Sequence, residues 1–337
     1  MKYWFGIIKP ISREMIRQES LHRVAILVQE KIGDTIILTT LLKHMRVAFP
    51  KMEIILIGVR GANEILAHDP HINDLYNLRN ISKQDKGALF SSQFDIIFNT
   101  KDHPSFTFLY LSRKILARYR IGIDHPLHRG FFHYLIPQQL DTAIVRKHCS
   151  FLEFLGVNEW EKDLRPYFPA GPISSEIKAF VEKTVKGKEV IGINLSADSP
   201  KRSWKLENYR KLIENIGQPV ILLSMPDRLS CKKHLEDEFN HVISSPSTKT
   251  IFDAAYLIQH FRLFISPDTS LVHIASCYNT PVVILYTTSL DSRRFPSLSD
   301  NRRVLITPTE NVDGITPQQI MEAYRSLWSE ITGDRIK

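Results

Sequence analysis

The stretch FRLFISPDTSLVHIASCYNTPVVILYT, residues 261–287, constrains the fold more than any other part of the chain. Residues 261–265 and 281–286 are apolar runs with the length and β-branched content of buried parallel strands. Between them, the sequence Ser-Pro-Asp-Thr is typical of a tight turn and a helix start. The stretch therefore predicts a strand–turn–helix–strand unit. Its turn lies at the carboxyl end of a strand, where open α/β sheets bind ligands and helix-start N–H groups favour phosphate.

Three polar residues of this unit have the spacing of one helical face. If the helix begins near Thr269, His273 lies four residues after Thr269 and three after Ser270, and helical side chains lean toward the N-terminus. The three side chains can then converge on one anion. In the alternative interpretation, Asp268 or Thr269 only caps the helix and His273 packs in the core. Spacing alone leaves both interpretations open.

Two further polar turns follow predicted strands. Residues 23–28 predict the first strand, and the turn after it contains Gly33, which permits close approach of a ligand, and Asp34 at an N-cap position. Residues 189–195 predict another strand, which ends in the loop NLSADSPKRSW. Lys201 and Arg202 of that loop are placed to bind a phosphate, the first as a point charge and the second as a fork.

The rest of the chain continues the α/β pattern. Strands are also predicted at residues 53–59, 94–99, 219–224 and 241–245, and helices at residues 104–118, 174–185, 227–239, 250–260 and 317–331.

At 337 residues, of which 43% are apolar, the chain is long enough for two domains. The most linker-like segment is RPYFPAGP, with three prolines and one glycine. We therefore predict an N-terminal extension at residues 1–20, a first domain at 21–168, a second domain at 169–315 and a C-terminal helix at 316–337.

The formal net charge of +8 favours an anionic partner, and nucleic acid, phospholipid and phosphorylated glycolipid all have the right sign. Between residues 113 and 148, seven Arg or Lys residues accompany two Asp residues. Arg118, Arg120 and Arg129 of this stretch are candidates for binding an anionic acceptor, and a solvated surface without a partner is the alternative. His125 and His128 have no carboxylate pair nearby, so no metal site is predicted.

The chain is expected in the cytoplasm. Its three cysteines are far apart and form no Cys-x-x-Cys pair, which fits reduced thiols. No apolar run approaches the ~20 residues of a membrane span, and the N-terminus lacks a signal-peptide pattern. The first residues, MKYWFGIIKPISR, mix aromatic, aliphatic and basic side chains. This segment either rests on the inner face of the cytoplasmic membrane or packs on its own domain or a partner subunit; Pro10 favours packing.

Three of these motifs, in their order along the chain, resemble glycosyltransferase family nine, the lipopolysaccharide heptosyltransferases. They are VAILVQEKIGDTIILTTLLKHMRVAFP, the loop KRSWKLENY, and DTSLVHIA followed by PVVILY. The resemblance covers most of residues 21–330. It implies the GT-B architecture, an α/β fold of two Rossmann-like, doubly wound parallel-sheet domains that face a cleft.

The resemblance also implies an activity, the inverting transfer of heptose from ADP-heptose to a hydroxyl of a lipopolysaccharide inner-core acceptor. Asp34 takes the position of the general base, and the absence of an Asp-x-Asp motif near the donor loop predicts no obligatory metal or other cofactor. The carried-over donor and phosphate-binding positions are Gly33, Lys201, Arg202, Asp268, Thr269, Ser270, Leu271 and His273.

Three positions depart from the family pattern: Ser270 replaces Gly, Arg202 replaces Lys and Thr40 replaces Pro. These departures bear on the identity of the donor rather than on the fold, and two alternatives stay open. One is a GT-B transferase that uses another nucleotide sugar, such as a UDP-sugar, for a different surface glycan. The other is a non-catalytic protein that binds a nucleotide sugar or nucleic acid. No helix-turn-helix or RNA-binding aromatic signature accompanies the charge, so nucleic acid is not expected.

Overall fold

The computed structural model describes residues 6–17, 21–59 and 65–333. The chain forms two compact units, Met1–Leu164 and Arg165–Lys337. The second unit begins at the first residue of the proline-rich segment, while the domain boundary predicted after residue 168 stays a prediction. Each unit contains one sheet in which every strand pairs in parallel with its neighbours.

The N-terminal unit contains a six-stranded sheet in the order β3-β2-β1-β4-β5-β6. Its strands are β1 Arg23–Val28, β2 Glu53–Gly58, β3 Asp74–Asn77, β4 Gln93–Asn99, β5 Leu116–Ile123 and β6 Tyr134–Ile136. Its helices are α1 Arg13–Arg17, α2 Ile32–Ala48, α3 Lys83–Ser91, α4 Phe106–Lys114 and α5 Ile144–Leu155. The strand order reverses direction between β1 and β4, so the switch point of this doubly wound sheet lies between these two strands.

The apolar run of β1 lies in the centre of this sheet, and its last five residues are buried. On one face, Ala25 and Leu27 pack with Ile55, Ile97 and Phe108. Helix α2 covers the sheet and packs against α5. A central strand covered on both faces has to be continuously apolar, which is why β1 was readable from sequence.

The C-terminal unit contains a five-stranded sheet in the order β11-β10-β9-β7-β8. Its strands are β7 Ile191–Asn194, β8 Val220–Leu223, β9 Leu263–Pro267, β10 Val282–Tyr286 and β11 Arg302–Ile306. Its helices are α6 Ser175–Phe180, which continues as a π-helical turn, α7 Leu206–Glu214, α8 Leu229–Glu238, α9 Ile251–Ile258, α10 Ser270–Tyr278, α11 Ser289–Arg294 and α12 Pro317–Thr332. The switch point lies between β7 and β9.

The C-terminal helix α12 is part of the second unit rather than a separate element. Thr316 and Gln319 form a capping box at its start. Tyr324, Leu327 and Trp328 are buried in the same cluster as the side chains of β7 and β8. The helix therefore completes one face of the core of the C-terminal unit.

Two predicted elements differ from the structure. The helix predicted at residues 104–118 ends at Lys114, and β5 begins two residues later, so Arg118 lies on a strand. Residues 241–245 form only an isolated bridge, between Val220 and Val242. In both cases the apolar pattern is compatible with more than one secondary structure, and pairing with residues distant in the chain determines which one forms.

The described part of the N-terminal extension packs on its own unit, which is the second of the two alternatives for this segment. Ile8 N–H donates to Gly130 O (3.0 Å), Ile11 N–H donates to His133 O (2.9 Å), and Ile16 is fully buried. Tyr3, Trp4 and Phe5 lie outside the described residues. Within residues 6–17, 21–59 and 65–333, no helix combines the length and the apolar character needed to cross a membrane.

Candidate active site

Asp34 lies at the switch point of the N-terminal sheet, in the first turn of α2 directly after β1. The predicted N-cap position is wrong: α2 begins at Ile32, Gly33 is its second residue, and the N-cap is Lys31, whose side chain does not cap the helix. The helix therefore does not use the Asp34 carboxylate as a cap. Among the residues that the structure describes, no group donates a hydrogen bond to this carboxylate, which is half-buried and available for chemistry.

Charged residues from two neighbouring strand ends surround Asp34. Lys101 follows β4, and its Nζ lies 3.1 Å from Glu30 Oε2, just after β1. Burial raises the pKa of Asp34 above its ordinary value, Lys101 and Lys31 oppose this rise, and Asp102 and Glu30 add to it. The site thus holds a carboxylate with increased proton affinity, as a general base working near neutral pH needs.

Sequence reasoning missed the loop that follows β4. Asp102 forms a buried ion pair with Lys147, with 2.8 Å between Oδ2 and Nζ, and its other oxygen lies 3.0 Å from His103 Nδ1. Lys147 also donates to Leu140 O (2.9 Å). Lys147 and the fully buried His148 were predicted as part of a basic stretch, but both are in the interior. In the sequence, the polar run Asn-Thr-Lys-Asp after an apolar strand could have indicated that this loop belongs to the site.

The three arginines predicted to bind the acceptor have different environments. Arg118 is exposed and lies over the Tyr119 ring (5.2 Å to the centroid), and Arg129 is exposed in the loop after β5. Arg120 instead donates to main-chain carbonyls at the end of α4 and the start of β5. Acceptor binding by Arg118 and Arg129 stays a prediction, whereas Arg120 has a structural role.

We expect Arg120→Ala to lower the free energy of unfolding by about 3 kcal/mol, because charge-assisted hydrogen bonds are lost together. The guanidinium binds Ser112 O (2.7 Å), Ala117 O (2.7 Å) and Ile115 O (3.1 Å). Urea denaturation measures the loss, and Arg118→Ala is the exposed control, expected to change stability by less than about 0.5 kcal/mol. Equal stability of the two variants would contradict the role of Arg120.

The second polar cluster lies at the switch point of the C-terminal sheet. Thr269 is the N-cap of α10, and its Oγ1 accepts from Leu271 N–H (3.3 Å). The Asn194 side-chain amide, at the end of β7, donates to Ser266 Oγ (3.0 Å) and to Thr269 Oγ1 (3.3 Å). The ends of β7 and β9 are therefore connected by hydrogen bonds, and this fixes the start of α10.

Ser270, the first residue of α10, is half-buried. Neither its N–H nor its hydroxyl has a partner among the described residues. The Thr269 hydroxyl accepts from Leu271 N–H and from the Asn194 amide and also lies 3.4 Å from Ser266 Oγ, whereas the donors of Ser270 are open. His273 is buried, and burial lowers its pKa to about 4. A neutral imidazole can donate one hydrogen bond but carries no charge.

The structure distinguishes between the two cations of the loop after β7. Arg202 donates to Asp268 O (2.9 Å) and Asp268 Oδ2 (3.3 Å), and it also forms an ion pair with Asp198. Lys201 forms an exposed ion pair with Glu310 (2.7 Å). Arg202 therefore contacts the turn before α10, and Lys201 points to Glu310 instead. Burial raises the pKa of Asp268 to about 6, although Arg202 opposes the rise.

Trp204 of the same loop is a packing residue. Its indole N–H donates to Ile315 O (2.9 Å), and its ring meets Tyr209 edge-to-face. Among the residues that the structure describes, no group of three or more His, Cys, Asp or Glu side chains is placed to hold a metal ion.

Two doubly wound parallel sheets, each with a polar cluster at its switch point, define the class of two-domain transferases with the GT-B architecture. Residues 86–324 match the sequence model of glycosyltransferase family 9 (heptosyltransferase). The chain belongs to this family of glycosyltransferases, which confirms the resemblance, the predicted fold class and the enzymatic activity. The matched region starts after Asp34, so the role of Asp34 rests on its own motif and geometry.

Individual relatives agree with this assignment. Lipopolysaccharide heptosyltransferase 3 of Escherichia coli is 25% identical over 277 residues, which are 75% of this chain and 80% of that protein. The glycosyltransferase family 9 structure from Veillonella parvula has a TM-score of 0.72 at 18% identity and covers 92% of this chain and 97% of its own. E. coli heptosyltransferase WaaC with ADP has a TM-score of 0.67 at 17% identity, with coverages of 92% and 98%. At these identities the solved structures show likeness of fold.

Proposed function

We propose that this glycosyltransferase transfers a heptose from ADP-heptose to a hydroxyl of a lipopolysaccharide inner-core acceptor. The observation that carries the proposal is the cluster at the ends of β7 and β9, where Arg202 and the open donors of Ser270 lie at a helix start. The relative from E. coli is by name a lipopolysaccharide heptosyltransferase, and WaaC was solved with ADP and with ADP-2-deoxy-2-fluoro heptose. These names support ADP-heptose as the proposed donor and lipopolysaccharide as the proposed class of acceptor.

In the proposed complex, Arg202 and Ser270 hold the diphosphate of the donor. The guanidinium exchanges its bonds with Asp198 and Asp268 for phosphate oxygens, which it binds as a planar fork. The N–H and hydroxyl of Ser270 donate from the positive end of α10. Together these groups neutralise the charge that develops on the leaving nucleotide. Lys201, which pairs with Glu310, has no part in this proposal.

Asp34 is the proposed general base. It accepts the proton of the acceptor hydroxyl while the hydroxyl oxygen forms a bond with the anomeric carbon of the heptose. The bond between that carbon and the diphosphate oxygen breaks, and ADP leaves with the electron pair. A single displacement of this kind inverts the anomeric centre and needs no metal or other cofactor. The support from the structure is a half-buried carboxylate with a raised pKa, to which no residue in the described part of the chain donates a competing hydrogen bond.

The reaction should lose rate as the pH falls through the pKa of Asp34, because only the ionised carboxylate accepts a proton. Lys101 lowers this pKa and Glu30 raises it. We therefore expect Lys101→Met to move the acid limb of the kcat/KM profile to higher pH and Glu30→Gln to move it to lower pH. Profiles of the two variants and the wild type provide the measurement. Shifts in the same direction, or no shift in either variant, would disprove the electrostatic assignment.

Calorimetric titration with ADP, UDP and GDP tests the proposed donor. Selective binding of ADP is the expected result. Selective binding of UDP or GDP would keep the transferase chemistry and change the donor, whereas no binding of any nucleotide would contradict the proposed role of the β7–β9 cluster.

A cytoplasmic location and peripheral contact with the inner face of the cytoplasmic membrane belong to the same proposal, because the acceptor is an anionic glycolipid held in that membrane.

A further inference from the structure

A buried ion pair that the proposed chemistry does not use lies next to the Asp34 cluster. Asp102 Oδ2 and Lys147 Nζ are 2.8 Å apart, and the two side chains are 4% and 2% exposed. Removing both charges from water costs free energy that their attraction offsets only in good geometry, so a buried ion pair is weak evidence for a role in stability. The location of this pair points instead to a role at the candidate active site.

The ion pair connects three segments at the carboxyl edge of the N-terminal sheet. Asp102 lies in the loop after β4, and Lys147 lies on α5. The ammonium of Lys147 also donates to Leu140 O (2.9 Å) in the loop after β6. Helix α5 packs against α2, whose first turn carries Asp34. The ion pair therefore fixes the loop after β4 to the pair of helices that presents the proposed base.

Hydrogen bonds fix the other side of the same loop. Thr100 Oγ1 donates to Leu27 O of β1 (2.7 Å), and Gln29 Nε2 donates to Thr100 O (3.2 Å). Lys101 is the next residue in the chain. Its main chain is therefore held on the β1 side through Thr100 and on the α5 side through Asp102.

The ammonium of Lys101 is held as well as its main chain. Its Nζ lies 3.1 Å from Glu30 Oε2 and 5.1 Å from the centroid of the Phe108 ring, and the Lys101 side chain is 8% exposed. An unrestrained lysine samples many rotamers and keeps its ammonium in water. The contacts at both ends of the side chain therefore keep this charge in one place.

The charge of Lys101 acts on Asp34 more strongly than any other charge does. Burial raises the pKa of the Asp34 carboxyl, and Lys101 has the largest opposing effect. The other charges that act on this pKa come from the same strand ends and are Lys31, Asp102 and Glu30. On α5, burial lowers the pKa of His148 to about 4, so this imidazole is neutral at physiological pH. Displacement of Lys101 would therefore raise the pKa of Asp34.

We propose that Asp102 and Lys147 are positioning residues for the transfer reaction: their buried ion pair holds the loop after β4 so that the ammonium of Lys101 stays beside the Asp34 carboxylate. The inference rests on the proposed function only for the role of Asp34 as the general base. Because the effect of a charge falls with distance, a small displacement of this loop changes the proton affinity of the base. The ion pair thus sets the pH range of the reaction without contacting the substrate.

A double-mutant cycle that measures the pKa of Asp34 tests the proposal on the full-length protein. NMR of isotope-labelled aspartate carboxyls gives this pKa without turnover, and the Asp34 signal is the one that Asp34→Asn removes. The cycle compares the effect of Lys101→Met in the wild type and in a background of Asp102→Asn combined with Lys147→Met. This background leaves neither buried charge uncompensated. The direct effect of the Asp102 charge on Asp34 cancels from the comparison.

In the wild type, Lys101→Met should raise the pKa of Asp34, because it removes the cation with the largest effect. In the background without the ion pair, the rise should fall to less than about half, because Lys101 no longer has a fixed position. A larger rise than that in the background, or no rise in the wild type, would overturn the proposal. If the double replacement does not fold, Asp102→Asn alone serves as the background with the same limit, because a buried Lys147 can release its proton.

A second buried ion pair provides the matched control. In α8, Lys232 Nζ lies 3.2 Å from Glu236 Oε1, both side chains are 6% exposed, and Lys232 donates to Ser245 O (2.6 Å). This pair has the same kind of bond to a loop carbonyl, but it lies in the C-terminal unit. Lys232→Met combined with Glu236→Gln should leave the effect of Lys101→Met unchanged. A smaller effect in this control as well would assign the change to a general loosening of the fold and would also overturn the proposal.

The pH dependence of kcat/KM separates this proposal from the proposed function. If Asp34 is the base, the acid limb follows the measured pKa of Asp34 in every member of the cycle. A limb that does not follow this pKa would reject the base and leave the positioning role intact. A limb that follows it, with the effect of Lys101→Met equal in both backgrounds, would reject only the positioning role.

Discussion

Asp34→Asn is expected to lower kcat by about 10²- to 10⁴-fold, the usual contribution of a general base. The amide keeps the shape of the side chain but cannot accept the proton of the acceptor hydroxyl. Its effect on the dissociation constant of ADP should be small, because the nucleotide is proposed to bind the cluster at the ends of β7 and β9. Initial rates at saturating donor and calorimetry with ADP measure the two quantities.

The same variant should keep its stability at neutral pH. Burial raises the pKa of Asp34, so the folded protein favours the protonated form and the ionised carboxylate lowers the free energy of unfolding once the pH exceeds its pKa in the unfolded chain. An uncharged amide removes this penalty. A purely structural Asp34 would instead make Asp34→Asn less stable.

Asp85→Asn is the matched control for Asp34. Asp85 also lies in the first turn of a helix, α3, where it pairs with Ser82, but it is exposed and remote from the switch point. Its replacement should leave the rate unchanged. A near-normal rate for Asp34→Asn would show that another group, or water, takes the proton.

Arg202→Ala is expected to weaken ADP binding by about a hundredfold or more. The fork of Arg202 is proposed to make two charge-assisted hydrogen bonds to the diphosphate, and each contributes about 1.5–3 kcal/mol. The ADP affinity of Arg202→Lys should lie between those of Arg202→Ala and the wild type, because lysine keeps the charge and loses the bidentate geometry. Calorimetric titration with ADP provides the measurement.

Lys201→Ala is the control for Arg202. The two residues are adjacent in sequence and have the same charge, but Lys201 forms an exposed pair with Glu310, and exposed pairs contribute little. We expect an ADP affinity within about threefold of the wild type, since the loss is at most ~0.6 kcal/mol. If Lys201→Ala weakens binding as strongly as Arg202→Ala, both cations contact phosphate. If only Lys201→Ala weakens it, the assignment is reversed.

Much of the candidate site was predictable because it follows directly after apolar strands. The turn at Thr269 was readable from residues 261–287, and the structure places Thr269 as the N-cap of α10 there. The position of Asp34 after β1 was readable in the same way, but its N-cap assignment was wrong. Helix α2 begins three residues earlier than an N-cap at Asp34 predicts, and exact helix ends depend on packing that a local pattern does not record.

The basic stretch at residues 113–148 shows that charge composition does not predict the environment of each charged side chain. Its charges looked alike in sequence, yet Lys147 is buried against Asp102, Arg120 binds main-chain carbonyls and Arg129 is exposed. Each outcome depends on a partner brought close by the fold, such as Asp102 for Lys147. A sum of charges cannot distinguish an internal ion pair from a free surface cation.

By itself, the sequence determined the class of fold, the order of its strand–turn–helix units, the family and the positions of the two polar turns. These follow from the apolar character and period of each segment and from turn residues, which act over a few neighbours along the chain. Only the tertiary structure brought Arg202 to Asp268 and Lys201 to Glu310, and placed Lys101 and Asp102 beside Asp34. Those outcomes depend on which strands are neighbours in the sheet, because strands far apart in the chain bring their following loops to one edge.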